Sequence, residues 1–243
     1  MAVDWIPVVE IMRPADSGET RPFQCRLEDE QMYAVKGKAA FAHGLAAELV
    51  AAYLAREIGL PVPDFVIADV PRPLLDFSMI AGVWHGLGSG PAFGSKWQDG
   101  AELVSPTIRD RADARTLATI YAFDHWICNG DRTLGDTAGN PNLMYNLADQ
   151  SLIVFDHNLA FFDTTYSAGD LVFHAGVRAW AAFKSDTNFR NQLVIDFARA
   201  FHQFDQIMDC LPEEWLDENP DIPHHMHRTL DRMNTAEFWD DLG

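Results

Sequence analysis

Three oxygen-bearing residues, Asp131, Asn142 and Asp156, fall within residues 124–163, DHWICNGDRTLGDTAGNPNLMYNLADQSLIVFDHNLAFFD. Each stands at the end of a short element. A helical run through Trp126 and Ile127 stops at Asn129-Gly130, residues 143–145 read as a short strand, and residues 152–155 read as a second one. Three polar groups on loops of this kind can all point at one place. A base, a neutral oxygen ligand and a carboxylate ligand are what metal-assisted phosphoryl transfer requires. The first aspartate orients and deprotonates a hydroxyl, while the asparagine and the second aspartate hold magnesium ions that bridge nucleotide phosphates. Taken singly, Asp131 equally fits a helix cap, Asn129-Gly130 a turn and Asp156 a strand-ending turn residue. The order of base, asparagine and aspartate favours a site.

The elements upstream must supply the phosphate contacts. Residues 6–12 and 22–27 read as strands joined by the turn-forming residues 14–20, a hairpin with a polar tip. A third strand, residues 32–35, delivers Lys36. In a nucleotide kinase the hairpin tip covers the phosphates and a strand-borne lysine pairs with phosphate oxygens, so this order fits such a site. The tip carries only Gly18, however, and Lys36 equally fits a solvated strand end. Residues 39–58 form the clearest helix, with Leu45, Leu49, Ala52 and Tyr53 at helical spacing and an end at Gly59 before Pro61 and Pro63. Glu48 lies in this apolar run. It is either a rim-exposed carboxylate or the group that holds Lys36 for phosphate contact.

Residues 65–70 read as a strand closing the small sheet. Residues 71–100, rich in Pro and Gly and without a sustained period, mark a junction. The run GLGSGPAFGS at 86–95 precedes no strand-to-helix unit and lacks the P-loop and dinucleotide patterns, so it reads as a structural turn beside the nucleotide cleft, with phosphate contact as the lesser alternative. From Asp113 the chain reads as mostly helical, with apolar stripes over residues 115–128 and 194–208 and a last helix over 229–242. His224, His225 and His227 have no carboxylate or cysteine at ligand spacing and read as a solvated helix start after Pro223.

With 243 residues, 48% of them apolar, the chain can bury a substantial core in one large domain or two joined lobes. The net charge of -18 disfavours direct binding to nucleic acid or to an anionic membrane surface, since no basic patch offsets it. Cys25, Cys128 and Cys210 are few, odd in number and far apart, which fits a reducing cytoplasm rather than a disulfide framework or zinc site. The first twelve residues lack the basic start and long apolar run of a signal peptide, so the expected location is cytoplasmic.

Several stretches together carry a resemblance: AELVAAYLAREIGLPVP at 47–63, GPAFGS at 90–95, NGDR at 129–132, NPNLM at 140–144 and FDHNLAFF at 155–162. They resemble the HipA-like kinases, and within them the branch with Asp-Arg-Thr, then Asn-Pro-Asn-Leu, then Asp-His. A more remote likeness runs to the phosphatidylinositol kinases. The resemblance covers residues 7–205 and implies an α+β, two-lobed protein-kinase-like fold using ATP and magnesium. Its expected divisions are a small β-rich N-lobe over 1–70, a junction over 71–100 and a mainly helical C-lobe over 101–243. It implies that Lys36 contacts the ATP phosphates, Glu48 holds Lys36, Asp131 is the catalytic aspartate, and Asn142 and Asp156 bind magnesium. Arg132 and His157 match flanking motif positions without a settled role.

The sequence departs from the family pattern in three places. The inserted residues 135–139 lengthen the gap after Asp131 and leave Asn140 as an alternative ligand. The hairpin tip is Ser-Gly-Glu-Thr rather than a Gly- and Ser-rich turn, and Asn158 stands where a glycine is usual. The expected activity is phosphoryl transfer to Ser or Thr hydroxyls of a protein substrate, with Ser17 or Thr20 as self-phosphorylation sites. A separate antitoxin-like protein is the partner the resemblance implies. The competing readings are a nucleotide-binding pseudokinase acting as a partner-binding module, and a lipid or small-molecule kinase.

Overall fold

A computed structural model describes residues 2–15, 22–99, 101–135, 139–162, 164 and 166–243, and the side chains of residues 102 and 103 are not part of the description. The tip of the first hairpin, with Ser17 and Thr20, and residues 136–138 of the insertion lie outside the described residues.

The N-terminal part is a closed barrel. Its strands β1 (Trp5–Pro14), β2 (Phe23–Leu27), β3 (Met32–Lys36), β4 (Phe65–Val70) and β5 (Gly90–Lys96) run in the order β1-β2-β3-β5-β4, and β1 closes it by pairing parallel to β4. Alternation sets the strands: Phe23, Cys25 and Leu27 of β2 and Tyr33 and Val35 of β3 point inward, as a period of two requires. The stretch read from sequence as a turn at 86–95 is in fact mostly β5, which lies between β3 and β4 with Lys36 opposite Phe93. The sheet expected to end at Val70 therefore extends to Lys96. A Cβ on Gly94 would stand 3.0 Å from Val66 Cγ2, so a larger residue there would require the valine side chain to give way. Two short helices, α2 (Arg72–Asp76) and α3 (Val83–Gly86), fill the connection from β4 to β5.

Helix α1 (Phe41–Glu57) is buried nearly all round, from Ala42 to Ala55. Its six alanines in that span, Ala42, Ala46, Ala47, Ala51, Ala52 and Ala55, allow close approach of the barrel on one side and the helical part on the other. It stops at Ile58-Gly59, as the sequence indicates.

The C-terminal part is mainly helical. A small sheet, β6 (Ala101–Leu103), β7 (Leu143–Asn146) and β8 (Ser151–Val154), sits among its helices, with β7 central. Helix α4 (Pro106–Arg109) leads to α5 (Ala114–Trp126), which begins where Asp113 Oδ2 accepts from Thr116 N at 2.7 Å. Next come α6 (Val177–Phe183), α7 (Thr187–Phe201), α8 (Phe204–Met208), α9 (Glu213–Glu218), α10 (Ile222–Asp231) and α11 (Ala236–Asp241). The apolar stripe expected over 194–208 is broken at His202-Gln203, between α7 and α8. The last expected helix is two, α10 and α11, separated by a short 3-10 turn. Trp126 holds this core, stacked on Phe197 at 4.4 Å with its ring N–H donating to Leu230 O. No helix among the described residues is long and apolar enough to cross a membrane. All three cysteines are buried thiols.

Candidate active site

Lys36 ends β3 with its side chain turned inward, 7% exposed. Backbone crowding fixes the turn after it: a Cβ on Gly37 would lie 1.9 Å from Leu87 O, which also accepts from Lys38 N. The Lys36 ammonium donates to Glu48 Oε1 on α1 at 2.5 Å and to Asp156 Oδ1 after β8 at 2.6 Å. Glu48 is buried, and its second oxygen accepts from His157 N at 3.0 Å. One glutamate thus grips both the barrel lysine and the loop of Asp156. Burial works against the ammonium, but the two carboxylates outweigh it and hold the Lys36 pKa above the ordinary lysine value. Burial would likewise raise the Asp156 carboxyl, yet Lys36 outweighs it and keeps that carboxyl below the usual range.

Asp131 is half-buried just beyond α5. Its Oδ2 accepts from Asn142 Nδ2 and from Asn140 Nδ2, both at 2.8 Å. The two asparagines left open by the sequence therefore both touch the aspartate, but their settings differ. Asn142 is buried, immediately precedes β7 and accepts at its carbonyl from Phe155 N, next to Asp156; Asn140 is exposed. Asn142 and Asp156 both have left-handed backbones, with φ of 45° and 61°. Asn and Asp tolerate that region better than other side chains, at on the order of 1 kcal/mol each. The five residues singled out from sequence thus form two clusters, Lys36-Glu48-Asp156 and Asp131-Asn142, linked where Phe155 N donates to Asn142 O at the adjoining ends of β8 and β7.

A buried polar cluster lies beneath them that the sequence reading left without a role. Arg132 and Asp124 are both fully buried and paired at 2.6 Å. Asp124 also accepts from Asn129 Nδ2 and, at 2.8 Å, from His174 Nε2; His174 Nδ1 accepts from Gly176 N, so the ring proton sits on Nε2. Burial pushes the Asp124 carboxyl up, but Arg132 and His174 outweigh it and hold it below the carboxylate range. A signal for Asp124 was present: it falls on the same helical stripe as Leu117, Ile120 and Tyr121, where a charge needs a partner.

The donor set fits a magnesium-type ion. Asn142 spends its amide nitrogen on Asp131 and keeps a hard carbonyl oxygen, and Asp156 adds a half-buried carboxylate. Such ions take one or two protein oxygens and complete their shell with phosphate and water. Among the described residues no group of three or more His, Cys, Asp or Glu forms an all-protein cage. The histidines near the C-terminus lie in the first turns of α10, with His224 and His227 exposed as the sequence indicates; His225 meets the Phe161 carbonyl and His227 packs against the Phe201 and Phe204 rings.

A family model for HipA-like kinases matches residues 8–242. The chain belongs to the HipA-like kinase family. The solved structure of the Helicobacter pylori proinflammatory kinase CtkA is similar over 96% of this chain and 94% of that one, with a TM-score of 0.53 at 13% identity. The Golgi casein kinase, solved also with Mn/ADP bound, matches over 99% of this chain and 72% of its own, at 13% and 12% identity and TM-scores of 0.44 and 0.46. No curated protein shows significant sequence similarity. The HipA-like chain thus has a mixed α/β fold of the kinase kind, sheet-rich at its N-terminal part and helical toward its C-terminus, and family and fold support a kinase-type phosphotransferase.

Two predictions arise from this geometry. Because Lys36 and Glu48 act as one unit, Lys36→Ala and Glu48→Ala should each weaken ATP engagement, and the double variant should lose little more than either alone. Fully additive losses in a double-mutant cycle on ATP turnover would refute the pairing. His157 supplies the second. Burial, followed by the neighbouring Arg132 charge, pushes its pKa down to about 3, so it stays neutral in the fold while the unfolded chain takes up a proton below about pH 6.5. The unfolded state then binds more protons, and stability rises with pH between those values. Relative to His157→Asn, the wild type should lose about 2 kcal/mol of its advantage between pH 7 and pH 5. Urea unfolding of both proteins at both pH values measures this, and a constant difference would contradict a neutral buried imidazole.

Proposed function

We propose that this HipA-like kinase transfers the γ-phosphoryl group of ATP, bound with magnesium, to serine or threonine hydroxyls of a protein. The observation that carries the reading is the Lys36 ammonium, buried and clamped between Glu48 and Asp156 at 2.5 and 2.6 Å, where β3 of the barrel meets the loop after β8. In this reading the barrel and the helical part act as two lobes with the nucleotide between them. Lys36 binds phosphate oxygens and Glu48 keeps it extended. Asn142 and Asp156 supply the oxygen ligands for the metal, which when bound neutralises phosphate charge. Asn142 is favoured over Asn140 by its burial and its backbone bond to Phe155. Asp131 presents the carboxylate oxygen that its asparagine neighbours leave open, accepts the proton of the incoming hydroxyl and holds that oxygen in line.

Incubation with radiolabelled ATP and magnesium tests the reading. Label on the chain itself, on generic protein acceptors or on proteins of a cell extract is expected. The absence of label on all three would overturn it in favour of a nucleotide-binding partner module, and label confined to phosphoinositide vesicles would move it to a lipid kinase. Self-transfer, if it occurs, is expected at Ser17 or Thr20.

A further inference from the structure

We propose that Arg132 is the positioning residue of this centre: its guanidinium ties the loop carrying Asp131 to the two strand ends carrying Asn142 and Asp156, so that base and ligand oxygens keep one mutual geometry. This role rests on the phosphotransfer reading of those three residues. Arg132 Nε donates to Asp124 Oδ2 at 2.6 Å. Its Nη1 is shared among the carbonyl oxygens of Pro141, Asn142 and Phe155, the first at 3.4 Å and the last at 3.2 Å. These carbonyls belong to the residue before Asn142, to Asn142 itself and to the residue before Asp156.

A carbonyl held by a charged donor fixes its whole peptide plane, and with it the backbone of the residues it joins. Asn142 and Asp156 need such a hold, because both stand in the left-handed region. The other end of the device is equally fixed. Arg132 directly follows Asp131, and its own carbonyl accepts from Ala175 N at 3.0 Å. Behind it Asp124 is pinned by Asn129 and by the Nε2–H of His174.

Stability alone does not account for this cluster. A charge pair at such depth loses in desolvation much of what it gains in attraction, and apolar side chains of similar size often serve a core as well or better. A planar guanidinium supplies something else, donors in fixed and divergent directions, which neither an apolar side chain nor a lysine reproduces.

Arg132→Lys keeps the charge beside Asp124 and removes the fork. Metal affinity, read by titrating magnesium into protein with saturating ADP and following the heat, is expected to weaken about tenfold or more, as for other residues that orient ligands. Amide hydrogen exchange should quicken in residues 139–158 and stay unchanged in the barrel strands. The rate of transfer should fall while the KM for the acceptor holds. If the lysine variant does not fold, the double variant Asp124→Leu/Arg132→Met, which replaces the pair by apolar groups, serves the same comparison. Either variant, folded and showing wild-type magnesium affinity with wild-type exchange in residues 139–158, would overturn the role. A wild-type chain that binds magnesium and ADP yet transfers no phosphate would instead sink the phosphotransfer reading, while the magnesium titration and exchange measurements still decide whether Arg132 orders the loop.

Discussion

Asp131→Asn is expected to bind magnesium-ATP as the wild type does and to transfer phosphate more slowly by on the order of a hundredfold or more. The substitution keeps the shape of the side chain, and its amide oxygen can still accept from Asn140 and Asn142 at the place where the carboxylate does so now. In the proposed reading it removes the base and its charge, which act only when a hydroxyl attacks. Asp131 has no part in the cluster around Lys36, so the nucleotide's own contacts remain. Calorimetry of nucleotide binding set beside initial transfer rates decides the matter. Transfer at the wild-type rate, or a loss of ATP binding as severe as that of the Asp156 variant below, would show the assignment to be wrong.

Asp156→Asn should fail earlier in the cycle, losing magnesium-dependent ATP affinity and turnover together. In the proposed reading the carboxylate meets the metal in the ground state as well as in the transition state, so its loss is expected to be felt on binding. Residues that only orient a metal ligand contribute roughly 10–100-fold in affinity, and a ligand itself should contribute at least as much. The change also deprives Lys36 of one of its two carboxylates, leaving Glu48 as the charged partner of the ammonium. Asparagine tolerates the backbone at this position, with its φ of 61°, so the fold should survive and the defect should be local. A magnesium titration of ATP binding on the folded variant measures the effect, and an unchanged half-saturation point would remove Asp156 from the metal site.

The parts of the molecule legible in the sequence are those whose pattern is local. Helix α1 announced itself by periodicity and by its stop at Gly59, and β2 and β3 by alternation. Strand β5 was hidden because GPAFGSK pairs on both sides through its backbone, and its glycine answers the crowding at Val66, a demand no single-strand pattern expresses. The break between α7 and α8 lies inside one continuous apolar stripe, where tertiary packing overrides periodicity. At the site, Lys36 and Glu48 each fitted a bland surface role from sequence, and only the meeting of β3 with α1 separates the alternatives. Asp124, Arg132 and His174 were illegible as a group because their chemistry depends on contacts across distant loops. Residue types and their order singled out Asp131, Asn142 and Asp156 but could not say that both asparagines rest on Asp131.

The left-handed backbones of Asn142 and Asp156 bear on how a lineage of such proteins ages. Asn, Asp and Gly are the residues that sit most easily in that conformation, and two of the three are also good oxygen ligands. A descendant that abandoned catalysis but kept its fold would still be biased toward this small alphabet at both positions, although Glu30, Phe41, Cys128, Gln150 and Phe161 show that the fold carries other side chains at positive φ. Intact letters at these two proposed ligand positions in a relative are therefore weak testimony that the relative is alive as an enzyme. Asp131, with no such backbone constraint, is free to drift once its chemistry is no longer selected, and its identity is the better witness.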